Sequence, residues 1–131
     1  MKILFNRGNV KNAKSYPYWD DLMNLLEGNE IREINGIFTT TQLLEIVNWC
    51  DVWVSIDSFL PHFCAYHKLK PGIVIWGKSD PELFGYKHNV NLLKDKSRLR
   101  EDQYGVWKDI KLDEEDFFKP EIIRQSVESM V

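Results

Sequence analysis

The sequence has 131 residues, a formal net charge of −3 and a pI near 5.6, which exclude the basic surface typical of nucleic-acid-binding proteins. With 44% hydrophobic and 13% aromatic residues, it can form a packed core, and its length predicts a single domain over residues 1–131. No apolar run approaches the roughly 20 residues of a transmembrane helix and the start MKILFN has no long apolar segment, so we expect a cytoplasmic protein.

The first predicted elements are a strand, a loop and a helix. Lys2 to Asn6 has the pattern of a short strand, and Arg7 to Ser15 that of a loop. We expect a helix to begin near Pro17, because proline is favoured in the first turn of a helix. Glu30 to Ile34 then predicts a second short strand.

The middle of the chain repeats this alternation. Thr39 and Gln42 form a T-x-x-Q capping box, which predicts that a helix begins there and continues to Cys50 at helical apolar spacing. Val52 to Ile56 is an apolar run typical of a buried strand. Leu60 to Lys68 predicts another helix, with a proline in its first turn.

The last third of the chain completes the pattern. Gly72 to Trp76 predicts another buried strand, His88 to Leu93 a last strand, Lys94 to Trp107 a polar loop, and Pro120 to Met130 a closing helix. Strands and helices that alternate with short connections are typical of a parallel sheet covered by helices on both faces. The predicted fold is therefore a Rossmann-like α/β domain of three layers with a mostly parallel sheet.

The two cysteines, Cys50 and Cys64, have apolar neighbours, as buried free thiols often do. His62 and His67 lie near Cys64, but this group lacks a fourth ligand and the paired spacing of zinc sites. The interpretation from these residues is two core thiols and two helix histidines. We expect neither a metal nor a cofactor.

Polar residues follow three of the predicted strands, and ligands of doubly wound sheets bind beyond the carboxyl ends of strands. The three clusters are Arg7 to Lys14, then Asp57 and Ser58 with His62, and Gly77 to Pro81. The middle cluster lies at a helix start, where free N–H groups favour an anion such as a diphosphate. The alternative is that Ser58 only caps the helix and His62 packs.

The first cluster carries the cations Arg7, Lys11 and Lys14, which can point toward a phosphate or remain solvated surface residues. The third cluster can equally be an ordinary turn. Taken separately, the three clusters leave both interpretations open.

Together, the residues from Cys50 to Pro81 resemble glycosyltransferase family 9, the heptosyltransferases of lipopolysaccharide assembly. That family has a buried strand followed by DSGxxH, then Lys-Pro, a second buried strand and GPTDP. The matching residues here are Asp57, Ser58 and His62, then Lys70 and Pro71, and then Gly77, Asp80 and Pro81. Lys14-Ser15-Tyr16-Pro17 is similar to the K-x-W-P of the family.

The resemblance implies the C-terminal, nucleotide-sugar-binding half of a GT-B enzyme, which transfers a hexosyl or heptosyl group with inversion and without a bound metal. It implies that Lys14, Ser58 and His62 lie near the diphosphate and that Asp57 lies near the sugar or the phosphate. Gly77 and Asp80 are further candidate substrate-binding residues. No catalytic residue is assigned, since the family carries its general base in the other half.

Phe59 departs from the family, because it stands where the motif has a glycine and its Cβ crowds a close phosphate. Three hypotheses follow. The first is a module that binds a nucleotide sugar or nucleoside diphosphate, is incomplete as a transferase and works with an acceptor-domain partner chain. The second is a non-catalytic interaction domain that retains the fold. The third is an enzyme that takes its base from a second copy of itself.

Overall fold

Five parallel strands form the centre of the protein in a computed structural model that describes residues 1–8, 13–107 and 110–130. The sheet order is β2-β1-β3-β4-β5. The five predicted strands are confirmed, but the second is one residue shorter at its end, and the fourth and fifth are one and two residues shorter at their starts. Their bounds are β1 (Lys2–Asn6), β2 (Glu30–Glu33), β3 (Val52–Ile56), β4 (Ile73–Trp76) and β5 (Val90–Leu93).

Helices follow the strands in the order that a doubly wound sheet requires. They are α1 (Trp19–Leu25), α2 (Thr40–Trp49), α3 (Phe59–Tyr66), α4 (Pro81–Phe84) and α5 (Pro120–Ser129), with 3-10 turns at Lys96–Arg98 and Glu114–Asp116. The predicted capping box of α2 is present, since Gln42 N donates to Thr39 Oγ1 at 3.1 Å and Thr39 N donates to Gln42 Oε1 at 2.9 Å.

Two apolar clusters cover the two faces of the sheet. In β1, Ile3 and Phe5 face α1 and α5, whereas Leu4 between them faces α2 and α3. This alternation follows from the two-residue period of a strand. The predicted α/β fold, with a parallel sheet between two helical layers, is thereby confirmed.

The start of α1 differs from the prediction, because the helix begins at Trp19 and not near Pro17. The residues before it are held by aromatic contacts instead. Tyr16 is buried against Trp19 and Phe117, and its hydroxyl donates to Phe118 O at 2.9 Å. These long-range contacts hold the segment outside the helix.

The end of α3 also differs, since the helix ends at Tyr66 and not at Lys68. Lys68 has a φ of 54°, in the left-handed region that terminates helices. The segment predicted as a polar loop from Lys94 contains the 3-10 turn at Lys96–Arg98, which begins where the Asp95 side chain accepts from Ser97 N at 2.9 Å. Short polar caps of this kind are too local to appear in a hydrophobic pattern.

Both cysteines are buried free thiols, as predicted, and their chemistry gives a first test of the core. Burial raises the pKa of Cys50 to about 11 and that of Cys64 to about 12. Because the thiolate is the reactive form, we expect no alkylation of either thiol by iodoacetamide at pH 8 in the native protein.

Mass spectrometry after a timed reaction measures this protection. The same reaction in guanidinium chloride is the control and should label both residues. Labelling of Cys64 in the native protein at the rate of the denatured protein would contradict the packing described here.

Candidate functional site

The carboxyl ends of β1 and β3 lie side by side at the point where the sheet order reverses. The chain leaves β1 toward β2 on one side and leaves β3 toward β4 on the other. Asn6, the last residue of β1, is buried, and its Nδ2 donates to Ser55 Oγ at 2.9 Å and to Ser58 Oγ at 2.8 Å. Such a point is where open α/β sheets form a ligand-binding crevice, and Asn6 joins its two sides.

A cleft of about 310 Å³ opens at this edge of the sheet. The loops after β1, β3, β4 and β5 all contribute to its lining. The lining residues are Lys14, Asp57, His62, Ser79, Phe84, Arg100, Gln103, Tyr104, Gly105 and Trp107. Three of the predicted site residues, Lys14, Asp57 and His62, therefore share one cleft.

Lys14 and Asp57 form an ion pair in the cleft. Lys14 Nζ lies 3.2 Å from Asp57 Oδ2, and the side chains are 28% and 11% exposed. The same ammonium lies 4.9 Å from the ring centroid of Trp107, within the range of a cation–π interaction. The cation is thus held at the cleft by a carboxylate on one element and an aromatic ring on another.

His62 reaches the cleft from the first turn of α3. Its Nδ1 lies 2.8 Å from the hydroxyl of Tyr86. When that hydroxyl donates to Nδ1, the ring carries its proton on Nε2, which is then a hydrogen-bond donor for a ligand oxygen.

Ser58 stands at the N-cap position of α3, but its side chain makes no capping hydrogen bond. Its hydroxyl accepts from Asn6 instead. The alternative in which Ser58 serves only as a helix cap is therefore wrong. The next residue, Phe59, is 44% exposed.

Gly77 and Asp80 have clear structural tasks. A Cβ on Gly77 would lie 2.7 Å from Cζ of Phe117, so only glycine lets that ring pack. The side chain of Asp80 caps α4 by accepting from Glu82 N at 2.9 Å, and Asp80 N donates to Gln103 Oε1 at 2.8 Å. The binding roles of Gly77 and Asp80 remain predictions.

Sequence reasoning missed the loop after β5, which forms one wall of the cleft. Arg100 stacks on Trp107, with its Cζ 3.8 Å from the ring centroid. Its guanidinium donates to the carbonyls of Gln103, Gly105 and Val106 at 3.1, 2.7 and 2.9 Å. The rule that polar residues after a strand line the ligand edge applies equally to β5 and would have selected this loop.

Arg7 of the first cluster is not among the residues that line the cleft. Arg7 pairs with Glu33 at 2.5 Å and with Asp20 at 2.9 Å, beside β2 and α1. Lys11 lies outside the described residues.

The charge of the cleft differs in sign from that of the chain. Lys14 and Arg100 are cations and Asp57 is the single carboxylate among the lining residues, whereas the chain carries a formal charge of −3. Among the described residues, no group of three or more His, Cys, Asp or Glu side chains is placed to hold a metal ion. No helix in the described ranges is long and apolar enough to cross a membrane.

No family model matches the sequence, and no curated protein matches it. Two solved structures are similar in fold. E. coli heptosyltransferase WaaC with ADP has a TM-score of 0.67 at 15% identity, over 99% of this chain and 44% of that one. The same enzyme with ADP-2-deoxy-2-fluoro heptose has a TM-score of 0.65 at 15% identity, over 99% and 43%.

The chain thus spans less than half the length of these heptosyltransferases. The predicted resemblance to glycosyltransferase family 9 is confirmed at the level of the fold.

Proposed function

We propose that this chain, which has the fold of one part of a heptosyltransferase, binds a nucleoside diphosphate or nucleotide sugar in the cleft beside Lys14. The observation that carries the proposal is the placement of the Lys14 ammonium between Asp57 and Trp107, at the crevice between β1 and β3. The two similar structures contain ADP and an ADP-sugar analogue, which supports this choice of ligand.

A diphosphate fits the charges of the cleft. The Lys14–Asp57 pair balances its own charges, and Arg100 then gives the lining of the cleft an excess of one positive charge. A diphosphate carries more than one negative charge, so it competes well with a single carboxylate for the ammonium. Charge-assisted hydrogen bonds are roughly twice as strong as neutral ones.

His62 and Asp57 can complete the recognition. In the tautomer whose Nδ1 accepts from the Tyr86 hydroxyl, the Nε2–H of His62 is a donor for a second phosphate oxygen. Asp57, on displacement from Lys14, is an acceptor for a ribose or sugar hydroxyl. Ser58 acts indirectly, because its hydroxyl accepts a hydrogen bond from Asn6.

Isothermal titration with ADP, GDP and UDP tests the proposal, with adenosine and pyrophosphate as partial ligands. We expect the diphosphates to bind and the phosphate-free nucleoside to bind poorly. A parallel rise in melting temperature is expected, because a ligand that binds only the native state stabilises it. Absence of binding by all the nucleoside diphosphates would refute the proposal.

The second candidate function is a non-catalytic interaction domain. It is favoured by large apolar side chains at the carboxyl edge of the sheet that remain in solvent. Ile37 is 100% exposed, Val106 is 69% exposed and Phe59 is 44% exposed. Absence of nucleotide binding in the titration above would leave the interaction domain as the better-supported function.

Sugar transfer by the chain needs a general base, which the resemblance to family 9 assigns to the other half of that fold. The proposed source of this base is an acceptor-domain partner chain or a second copy of the chain. Transfer of a hexosyl or heptosyl group with inversion, without a metal, is the reaction that the resemblance implies.

Phe59→Gly tests whether the side chain at the start of α3 limits phosphate binding. The glycine removes the Cβ and ring beside the first turn, which lets backbone N–H groups approach a phosphate closely. We expect nucleoside diphosphates to bind more tightly to this variant by about threefold to tenfold, or roughly 1 kcal/mol, in titration calorimetry.

Leu83→Gly, a change at another exposed apolar residue of a first helical turn, is the matched control and should leave affinity unchanged. Equal or weaker binding by Phe59→Gly would show that the ring does not obstruct the ligand.

A further inference from the structure

Aromatic side chains from α4 and from the loop after β5 line the cleft, next to the ion pair. We call Phe84, Tyr104 and Trp107 the aromatic wall. Tyr104 is 77% exposed, and its ring centroid lies 5.5 Å from that of Phe84 in an edge-to-face arrangement. All three residues line the same cleft as Lys14 and Asp57. A group attached to a phosphate at Lys14 therefore lies within reach of ring faces.

Hydrogen bonds to the backbone hold the aromatic wall in place. Gln103 Nε2 donates to Lys78 O at 2.9 Å and to Arg100 O at 2.7 Å, and its Oε1 accepts from Asp80 N at 2.8 Å. Arg100 donates to three carbonyls of the same loop. The Gln103 amide and the two terminal nitrogens of Arg100 are thus engaged within the protein, and Arg100 Nε is buried, so these side chains do not remain for reading the polar edge of a nucleobase.

The polar groups that remain beside the aromatic wall suit hydroxyl groups. Asp57 pairs with Lys14 through one oxygen, and a carboxylate has about four acceptor sites in all. Ser79 lines the cleft with a hydroxyl that both donates and accepts. A sugar ring offers an apolar C–H face and a rim of hydroxyls, which match a ring face beside a carboxylate and a serine.

We infer that the aromatic wall is the subsite for the glycosyl group of a nucleotide sugar, and that Tyr104 is a specificity-determining residue of this subsite. The inference rests on the proposed function, because it takes the diphosphate beside Lys14 as the anchor. The glycosyl group packs against Tyr104, which is exposed, and directs hydroxyls to Asp57.

Titration calorimetry with two matched pairs of ligands tests the subsite: UDP against UDP-glucose, and ADP against ADP-glucose. Tyr104→Ala should weaken binding of the better nucleotide sugar about threefold to tenfold, the range expected for one aromatic contact. It should change the affinity for the corresponding nucleoside diphosphate less than twofold. Tyr104→Phe retains the ring and should retain the affinity of the parent protein.

Tyr66→Ala is the matched control. Tyr66 is 82% exposed and also packs edge-to-face on a neighbouring ring, that of His67 at 4.9 Å, but it does not line the cleft. This variant should bind both ligands of each pair like the parent. Circular dichroism checks that each variant is folded.

The outcomes separate this inference from the function on which it rests. A parent protein that binds no nucleoside diphosphate and no nucleotide sugar overturns both. Binding of UDP or ADP without any gain from glucose overturns the glycosyl subsite alone, as does an unchanged affinity ratio in Tyr104→Ala. An equal loss for nucleotide and nucleotide sugar in Tyr104→Ala would assign the wall to the nucleobase instead.

Discussion

Lys14→Ala should weaken the binding of a nucleoside diphosphate by tenfold or more. A hydrogen bond to a charged group contributes roughly 1.5–3 kcal/mol, and each 1.4 kcal/mol is a factor of about ten in the dissociation constant. A second effect acts in the same direction, because the variant leaves Asp57 in the cleft without the ammonium that lies 3.2 Å from it. The unpaired carboxylate then repels the diphosphate.

Lys2→Ala is the control for this prediction. Lys2 also lies over a tryptophan ring, with its Nζ 5.8 Å from the centroid of Trp49, but it is at the amino end of β1, away from the cleft. Titration of ADP or UDP into both variants and the parent measures the effect. A loss of affinity that is equal in Lys14→Ala and Lys2→Ala would indicate a general charge effect and not a contact.

The double variant Lys14→Ala with Asp57→Asn separates the two contributions. If repulsion by Asp57 is part of the loss, removal of its charge restores some affinity relative to Lys14→Ala. With Asp57→Asn also measured alone, the change in binding free energy of the double variant minus the sum of the two single changes is the coupling between the two residues.

Asp116→Ala should lower the free energy of unfolding by about 3 kcal/mol, the largest change in stability that we expect from one charged residue here. The Asp116 side chain is 0% exposed and lies 2.8 Å from Arg98 Nε and 3.1 Å from Lys78 Nζ. Its removal leaves two cations without their buried partner. The cations are 34% and 21% exposed, so solvent screens part of the cost.

Chemical denaturation followed by circular dichroism measures this change. Glu128→Ala is the control, because Glu128 forms an exposed i,i+4 pair with Arg124 at 3.8 Å and should contribute about 0.5 kcal/mol or less. A loss below about 1 kcal/mol for Asp116→Ala would show that the buried carboxylate contributes no more than a surface pair.

Asp116 also connects stability to the candidate site. Lys78, which it holds, accepts at its carbonyl from Arg100 N at 3.1 Å and from Gln103 Nε2 at 2.9 Å. These bonds fix the loop that carries Tyr104 and Trp107. The ion pairs of Asp116 with Lys78 and Arg98 therefore support the wall of the cleft.

The sheet could be predicted because its strands are nearly continuous apolar runs. Val52 to Ile56 and Ile73 to Trp76 are buried on both faces, and such runs are distinctive in sequence. The capping box at Thr39 is likewise a local signal. The predicted start of α1 differs from the observed one by two residues. Tyr16, just before the helix, is held by residues about 100 positions later, which no local pattern contains. The extent of the domain over residues 1–131 stays a prediction.

The candidate site was predicted in part, for the same reason. Lys14, Asp57 and His62 follow two strands that were predicted, and these strands are neighbours in the sheet, so the fold brings the three residues together. Arg100 and Trp107 contact each other within one loop, and Trp107 reaches Lys14 across more than 90 positions of the chain. Their pairing depends on backbone carbonyls of the loop, which leave no trace in residue type. Gly77 and Asp80 were selected by the family motif. In the structure, Gly77 leaves room for the Phe117 ring and Asp80 caps α4.

A crystal structure of the protein with a nucleoside diphosphate tests the central claim most directly. We expect the diphosphate between the carboxyl ends of β1 and β3, with a phosphate oxygen within hydrogen-bonding distance of Lys14 Nζ. The distance between Lys14 Nζ and Asp57 Oδ2 should then exceed the present 3.2 Å. A diphosphate bound away from this cleft, or a bound nucleotide with the Lys14–Asp57 distance still near 3.2 Å and no phosphate contact to Lys14, would contradict it.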